Sequence, residues 1–321
     1  MDINEDMIKT EVSNFVSSLQ RLLPKKKDII VFEPIKTKLS RLSDIHTEAK
    51  NVFPKCFVGT KLVILRQIMD KVKLVQQYNY GKTKENYHSY KQYLNNEMET
   101  KLINDGLLLD STGSATATYK ENIEGAYQVR LTSKIKDLIS SETEVEIERE
   151  GDKSINSFSF RMNDMDPKTL KTVTQCMYQV HPDFCVGTEL GFKPLSYPVL
   201  PELSISARYS KPNFTLSSTI SKVGFQVCLF KKFAKDLRIA TIINEGHRAR
   251  VTVGLALHKS YENGSELKMF VDTQRCGGFT FQKDVYFRES PNEIRVLRLV
   301  ASTLIDGQRR VRLGFGFNLD F

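Results

Sequence analysis

The chain has 321 residues, with 47 Lys plus Arg against 38 Asp plus Glu, 40% hydrophobic residues and 26% charged ones. That balance is close to the average for folded domains, and no window approaches the ~20 apolar residues that a spanning helix needs. Five cysteines without a CxxC pair argue against a disulfide framework or a zinc site; the basic residues behind the net charge of +9 are scattered singly, which points away from nucleic acid.

The first residues, MDINEDMIKTEV, are acidic. They lack the basic-then-apolar layout of a secretory signal and the Arg-rich, acid-poor character of a cleaved mitochondrial presequence. Ile8, Val12, Phe15, Val16, Leu19, Leu22 and Leu23 recur at three-and-four spacing up to Pro24. Leu39, Leu42, Ile45, Ala49, Val52 and Phe53 repeat the pattern up to Pro54. The spacing predicts an N-terminal helical segment over 1–55, amphipathic and in need of a surface to lie on.

From Cys56 onward the texture changes. Alternating segments run from Phe57–Gln67 to Arg309–Phe321, broken by turn pairs such as Asp105-Gly106, Asn263-Gly264 and Asp306-Gly307. They predict about eighteen strands and one β domain over 56–321. A meander of that size splits into two sandwiched sheets or closes into a barrel without edges.

The strand faces favour the barrel. Tyr127, Val129 and Leu131 alternate with Gln128, Arg130 and Thr132; Val145 and Ile147 stand between Glu144, Glu146 and Glu148. The end of the chain sets Val311, Leu313, Phe315, Phe317, Leu319 and Phe321 against Arg310, Arg312, Gly314, Gly316, Asn318 and Asp320. A barrel of so many strands has a wet lumen, so the polar face points inward and the apolar face meets lipid. The lumen candidates are Glu144, Glu146, Glu148, Arg130, Arg310, Arg312 and Asn318. The acidic row would attract a cationic helical peptide. Arg130, Arg310 and Arg312 could pair with it across strands. A soluble β-rich binding protein is the reading left if the apolar faces pack against each other. No HExxH, GxSxG, GxGxxG or Walker-type context is present, so neither an enzyme nor a cofactor or metal is expected.

Asp44–Ile64, DIHTEAKNVFPKCFVGTKLVI, resembles the helix-to-first-strand junction of the channel-forming subunit of the translocase of the outer mitochondrial membrane, within the eukaryotic porin superfamily. The marks are Phe53-Pro54 and Gly59-Thr60-Lys61-Leu62. Phe184–Phe192, FCVGTELGF, and Ala207-Arg208-Tyr209 are further traces. Arg312, Gly314, Phe317 and Leu319 fit the mitochondrial β-signal for membrane insertion. Leu65–Met69 and Thr273–Cys276 depart from the family pattern, which marks a divergent member.

The resemblance implies an all-β, transmembrane antiparallel β-barrel of about 19 strands with an N-terminal helical segment in the lumen. It implies a multi-pass protein of the mitochondrial outer membrane that conducts unfolded precursor proteins with presequences from the cytosol. Its partners would be receptor and small single-span subunits, outer-membrane lipid, and further copies of itself within a complex. The alternative within the superfamily is a metabolite porin of the voltage-dependent anion channel kind.

Overall fold

The computed structural model describes residues 39, 41–69, 72–80, 106–109, 115–123, 127–136, 140–193, 201–222, 224–246, 251–290 and 293–320. The first helical pattern, the strand expected over Tyr87–Asn95, and Phe321 lie outside the described residues. Leu39–Phe321 forms one compact unit. Among the described residues it contains a 3-10 turn, Leu42–Asp44, a short helix α1, Thr47–Val52, and eighteen strands in one sheet.

In chain order the strands are β1 Gly59–Met69, β2 Val72–Tyr80, β3 Gly106–Leu109, β4 Ala115–Ile123, β5 Tyr127–Lys136 and β6 Ser140–Glu150. Next come β7 Ser154–Asn163, β8 Lys171–His181, β9 Phe184–Phe192, β10 Glu202–Lys211, β11 Phe214–Ser221 and β12 Gly224–Lys232. The last six are β13 Leu237–Gly246, β14 Thr252–Ser260, β15 Glu266–Asp272, β16 Gly277–Ser290, β17 Glu293–Ile305 and β18 Val311–Asp320. Most match the length that a tilted strand needs to cross a bilayer. From β3 to β18 each strand pairs antiparallel with the next. The sheet closes on itself where β1 pairs parallel with β18, from Gly59↔Gly314 to Leu65↔Asp320. A second parallel pairing joins β2 to β3 over three residues, Val72↔Leu107 to Leu74↔Leu109. Closure leaves no edge running the length of the sheet, which hydrocarbon requires of a β protein.

Residues 39 and 41–57 identify the inner face. They touch the same face of the sheet from β5 to β18, which a closed sheet permits only from inside. Pro54 ends α1, and the residue before it, Phe53, is extended at ψ 134, as proline requires of its predecessor. The buried side of this segment, Ala49, Val52, Phe53 and Cys56, packs on Cys228, Ala240, Ala256, Phe270 and Leu304. Leu42 and Ile45 pack on Ile155 and Met177. The hydrophobic core of the unit thus lies inside the sheet, between one short segment and the wall. A polar inner face is expected from the alternation; the wall instead turns apolar where α1 lies, with Ala240 and Ala256 small enough to admit it. The outer face carries exposed Leu131, Ile205, Leu255, Phe315 and Phe317. A belt of that character facing outward from a closed sheet is matched to lipid.

Candidate functional site

The lumen wall is read off the strand register, because residues two apart share a face. Glu144, Glu146 and Glu148 all point inward, opposite Thr132, Arg130 and Gln128 of β5 and Arg161, Ser159 and Ser157 of β7. The row is neutralised by arginines. Arg130 reaches Glu146 at 3.2 Å, and Arg161 reaches Glu144 at 2.9 Å and Glu142 at 3.2 Å. Arg41, just before the 3-10 turn, meets Glu148 at 2.7 Å and donates to Gln128 Oε1 at 2.7 Å.

Arg312 is far from the acidic row and reaches Asp306 at 3.5 Å. Arg310 lies in the turn before β18, where its backbone N–H donates to Asp306 Oδ1 at 2.9 Å. Asp306 also accepts from Gln308 N at 2.9 Å, so one carboxylate organises the β17–β18 turn. These bonds, that of Arg310 first, hold its carboxyl below the usual carboxylate range. Asn318 stands inward opposite Arg298. Arg298 makes a two-pronged pair with Asp284 at 2.8 and 3.0 Å.

Phe317 and Leu319, on the outer face, stand beside Leu62 and Ile64 across the parallel seam. Gly314 is inward, and a Cβ there would overlap the carbonyl of Phe57.

Other side chains that hold the inner segment on the lumen wall are not evident from the acidic row. His46 lies between Ser217 Oγ and Thr219 Oγ1, each 2.8 Å away. Glu48 meets Arg208 at 2.8 Å and accepts from Thr215. The inward positions of β10 and β11 supply this dock: Ser204, Ser206, Arg208 and Ser210 face Ser221, Thr219, Ser217 and Thr215. That hydroxyl ladder is readable in the sequence as alternate Ser/Thr in ELSISARYSK and FTLSSTIS. Burial first, then Lys50 and Arg208, lowers the His46 pKa from 6.5 to about 4, so the ring is neutral. At the far end of the segment Lys268 Nζ donates to Asn51 O at 3.0 Å, and Phe57 N–H donates to Ser302 Oγ at 3.0 Å.

Among the described residues no group of three His, Cys, Asp or Glu could hold a metal ion. The arrangement forms a passage. The acidic row is paired with arginines, hydroxyls line one side, and a latched segment occupies part of the bore. Such a wall makes many weak contacts and few strong ones.

The eukaryotic porin family model matches residues 40–289. The chain is 23% identical over 248 residues to the mitochondrial import receptor subunit TOM40 homolog of Caenorhabditis elegans, covering 75% of this chain and 82% of that protein. The corresponding protein of Caenorhabditis briggsae is similar to the same extent, 23% over 248 residues.

Proposed function

The chain belongs to the eukaryotic porin family, and on that premise we propose that it is a protein-conducting channel of the mitochondrial outer membrane. It is a β-barrel of that membrane, in the family of the eukaryotic porins. The finer reading is passage of unfolded precursor proteins from the cytosol. The observation that carries it is the similarity along 75% of the chain to two proteins named as import receptor subunits.

The lumen is consistent with this role. An extended polypeptide of mixed sequence needs a wet bore whose contacts can be left again. The paired charges of Glu144, Glu146 and Glu148 with Arg161, Arg130 and Arg41 hold the acidic row close to neutral. A cationic presequence would exchange with those arginines rather than meet bare carboxylates. In this reading residues 1–55 form the N-terminal segment and 56–321 the conducting barrel. Receptor and small single-span subunits, together with further copies of the chain, would complete the translocase.

The test is reconstitution of the full chain in a planar bilayer. Presequence peptides added to one side should produce brief, voltage-dependent blockades that a scrambled acidic peptide does not. A channel that passes nucleotides and ignores presequences would overturn import and favour the metabolite-porin role.

A further inference from the structure

Four cation–aromatic pairs are recorded among the described residues: Arg149 over Tyr127 at 5.5 Å, Lys211 over Tyr209 at 5.6 Å, Lys231 over Phe233 at 4.6 Å and Lys259 over Tyr261 at 5.3 Å. Their positions are not scattered. Tyr127 opens β5 directly opposite Arg149 near the end of β6. The other three pairs lie at the ends of β10, β12 and β14. Even-numbered strands from β4 run in one direction, so all four pairs stand on one rim.

All four also point outward. Lys211 is separated by an odd number of residues from Arg208, which faces the lumen to meet Glu48. Lys231 is likewise offset from Cys228, and Lys259 from Ala256, both packed on the inner segment. Arg149 neighbours Glu148, which faces Arg41 inside. Each cation therefore stands on the lipid-facing wall, next to a ring suited to the membrane interface.

The opposite rim is different. Its outward strand-end positions include Ile135, Leu203, Ile220, Val271, Ile305 and Val311, all exposed and all uncharged. The outward charges described at its strand ends, Lys222 after β11 and Glu245 on β13, are of opposite sign, and Asp164, Asp166, Lys168, Arg275 and Arg309 belong to its connecting turns. On the basic rim the wall carries one described outward acid, Glu121, which accepts from Tyr119 Oη at 3.0 Å. The acids Asp152, Asp183, Asp236 and Glu262 near this rim belong to the connecting turns, not to the wall.

We infer that this rim is a docking belt for the phosphate headgroups of anionic phospholipids. It favours such lipids in the leaflet it touches, and the opposite rim does not. The belt commits to lipid rather than to an acidic protein because its cations are seated on rings at the edge of the apolar wall. A headgroup phosphate lies at that depth, and basic side chains next to the membrane attract anionic lipid there. The inference rests on the membrane-barrel reading.

The test uses the full chain reconstituted in phosphatidylcholine vesicles containing trace spin-labelled phosphatidylglycerol or spin-labelled phosphatidylcholine. Electron spin resonance reads the fraction of each label immobilised at the protein wall. The expected result is anionic over neutral association above about twofold, falling toward one in high salt as the charges are screened. The fourfold variant Arg149→Gln, Lys211→Gln, Lys231→Gln, Lys259→Gln should lose that preference. The pair Lys222→Gln, Glu245→Gln should keep it. Circular dichroism and resistance to unfolding on gels establish that each variant is folded, and the salt series on the unaltered chain decides the matter if the fourfold variant is not. Equal immobilisation of both labels by the unaltered chain would overturn the belt and leave the rim to an acidic protein surface. A preference unchanged in the folded fourfold variant would also overturn it. Absence of any immobilised label would sink the membrane-barrel reading itself, a different failure from lost selectivity.

Discussion

Gly314 sits against the backbone of Phe57, so close that a Cβ at 314 would overlap the Phe57 carbonyl and crowd its ring. Phe57 is the last turn-off before β1, and Gly314 pairs with Gly59 in the parallel seam that closes the sheet. The obstacle is backbone, anchored by Phe57 N–H on Ser302 Oγ, so it cannot swing aside. Gly314→Ala should therefore destabilise the refolded barrel by about 1–3 kcal/mol, the usual cost of overpacking a tight contact. Urea unfolding in detergent checks this and separates the steric effect from any loss of insertion in cells. Gly151→Ala is the control, since its Cβ meets atoms only at 3.4 Å. Equal stability of both variants would remove the seam contact as the reason for glycine.

Arg41 and Glu148 form the most enclosed pair of the acidic row, with side chains 28% and 7% exposed. Removing Arg41 leaves a buried carboxylate opposite Gln128 and Ser157, with Glu146 beside it and no cation in its place. Arg41→Ala should cost on the order of 2–3 kcal/mol, reduced from the range for a fully buried pair because Arg41 keeps some water. Adding Glu148→Gln should recover most of that loss, because the uncompensated charge disappears. A double-mutant cycle by chemical denaturation reads the coupling, and strict additivity would show that the two groups do not depend on each other.

Much of the wall is legible in the sequence because a period of two needs no tertiary knowledge. Val311 to Leu319 alternate outward and Arg312 to Asn318 inward, as the register of β17 and β18 requires. The partners of the acidic row are less legible. Arg130 is the cross-strand neighbour of Glu146, which local pairing supplies. Arg41 lies 107 residues before Glu148, in a segment whose path across the lumen no local rule predicts. The apolar lumen patch is hidden for a similar reason. Ala240, Ile242 and Ala256 look like interruptions of a polar face until α1 is laid over them. His46 reads as one more polar residue on an amphipathic helix, and only the Ser/Thr ladder of β10 and β11 gives its ring a place.

His46 makes the latch sensitive to acid. Its pKa falls from 6.5 to about 4 because burial, then Lys50 and Arg208, disfavours the charged ring. Glu48 is the acidic neighbour on the same segment, already committed to Arg208 and Thr215. A neutral ring is favoured in the folded state, so its contribution is fully present above 6.5. It is lost progressively as pH falls from 6.5 toward 4. Release of the segment should therefore rise across that window, seen as greater single-channel conductance and faster proteolysis after Lys50. His46→Gln keeps polar atoms for Ser217 and Thr219 but does not titrate. Its conductance should be flat over the same window; an unchanged acid response in that variant would assign the effect to other groups.

Cys56 reports whether the segment stays seated. Burial pushes its thiol up from 9.0 to about 12, against a smaller opposing effect of the Ser302 hydrogen bond. A thiol held that high is almost wholly protonated at pH 8, and it is also walled in by Phe53 and Phe270. In a chain retaining only this cysteine, a water-soluble maleimide should react with the folded barrel roughly two to three orders of magnitude more slowly than with the unfolded chain. Raising pH from 7 to 9 should leave the folded rate slow, because the thiolate remains scarce throughout. The Arg41→Ala variant tests the coupling along the segment. If the anchor at Glu148 helps to hold α1 on the wall, its loss should speed labelling of Cys56, fifteen residues farther along the segment. An unchanged rate would mean that the apolar contacts of Val52 and Phe53 hold the segment without help from the acidic row.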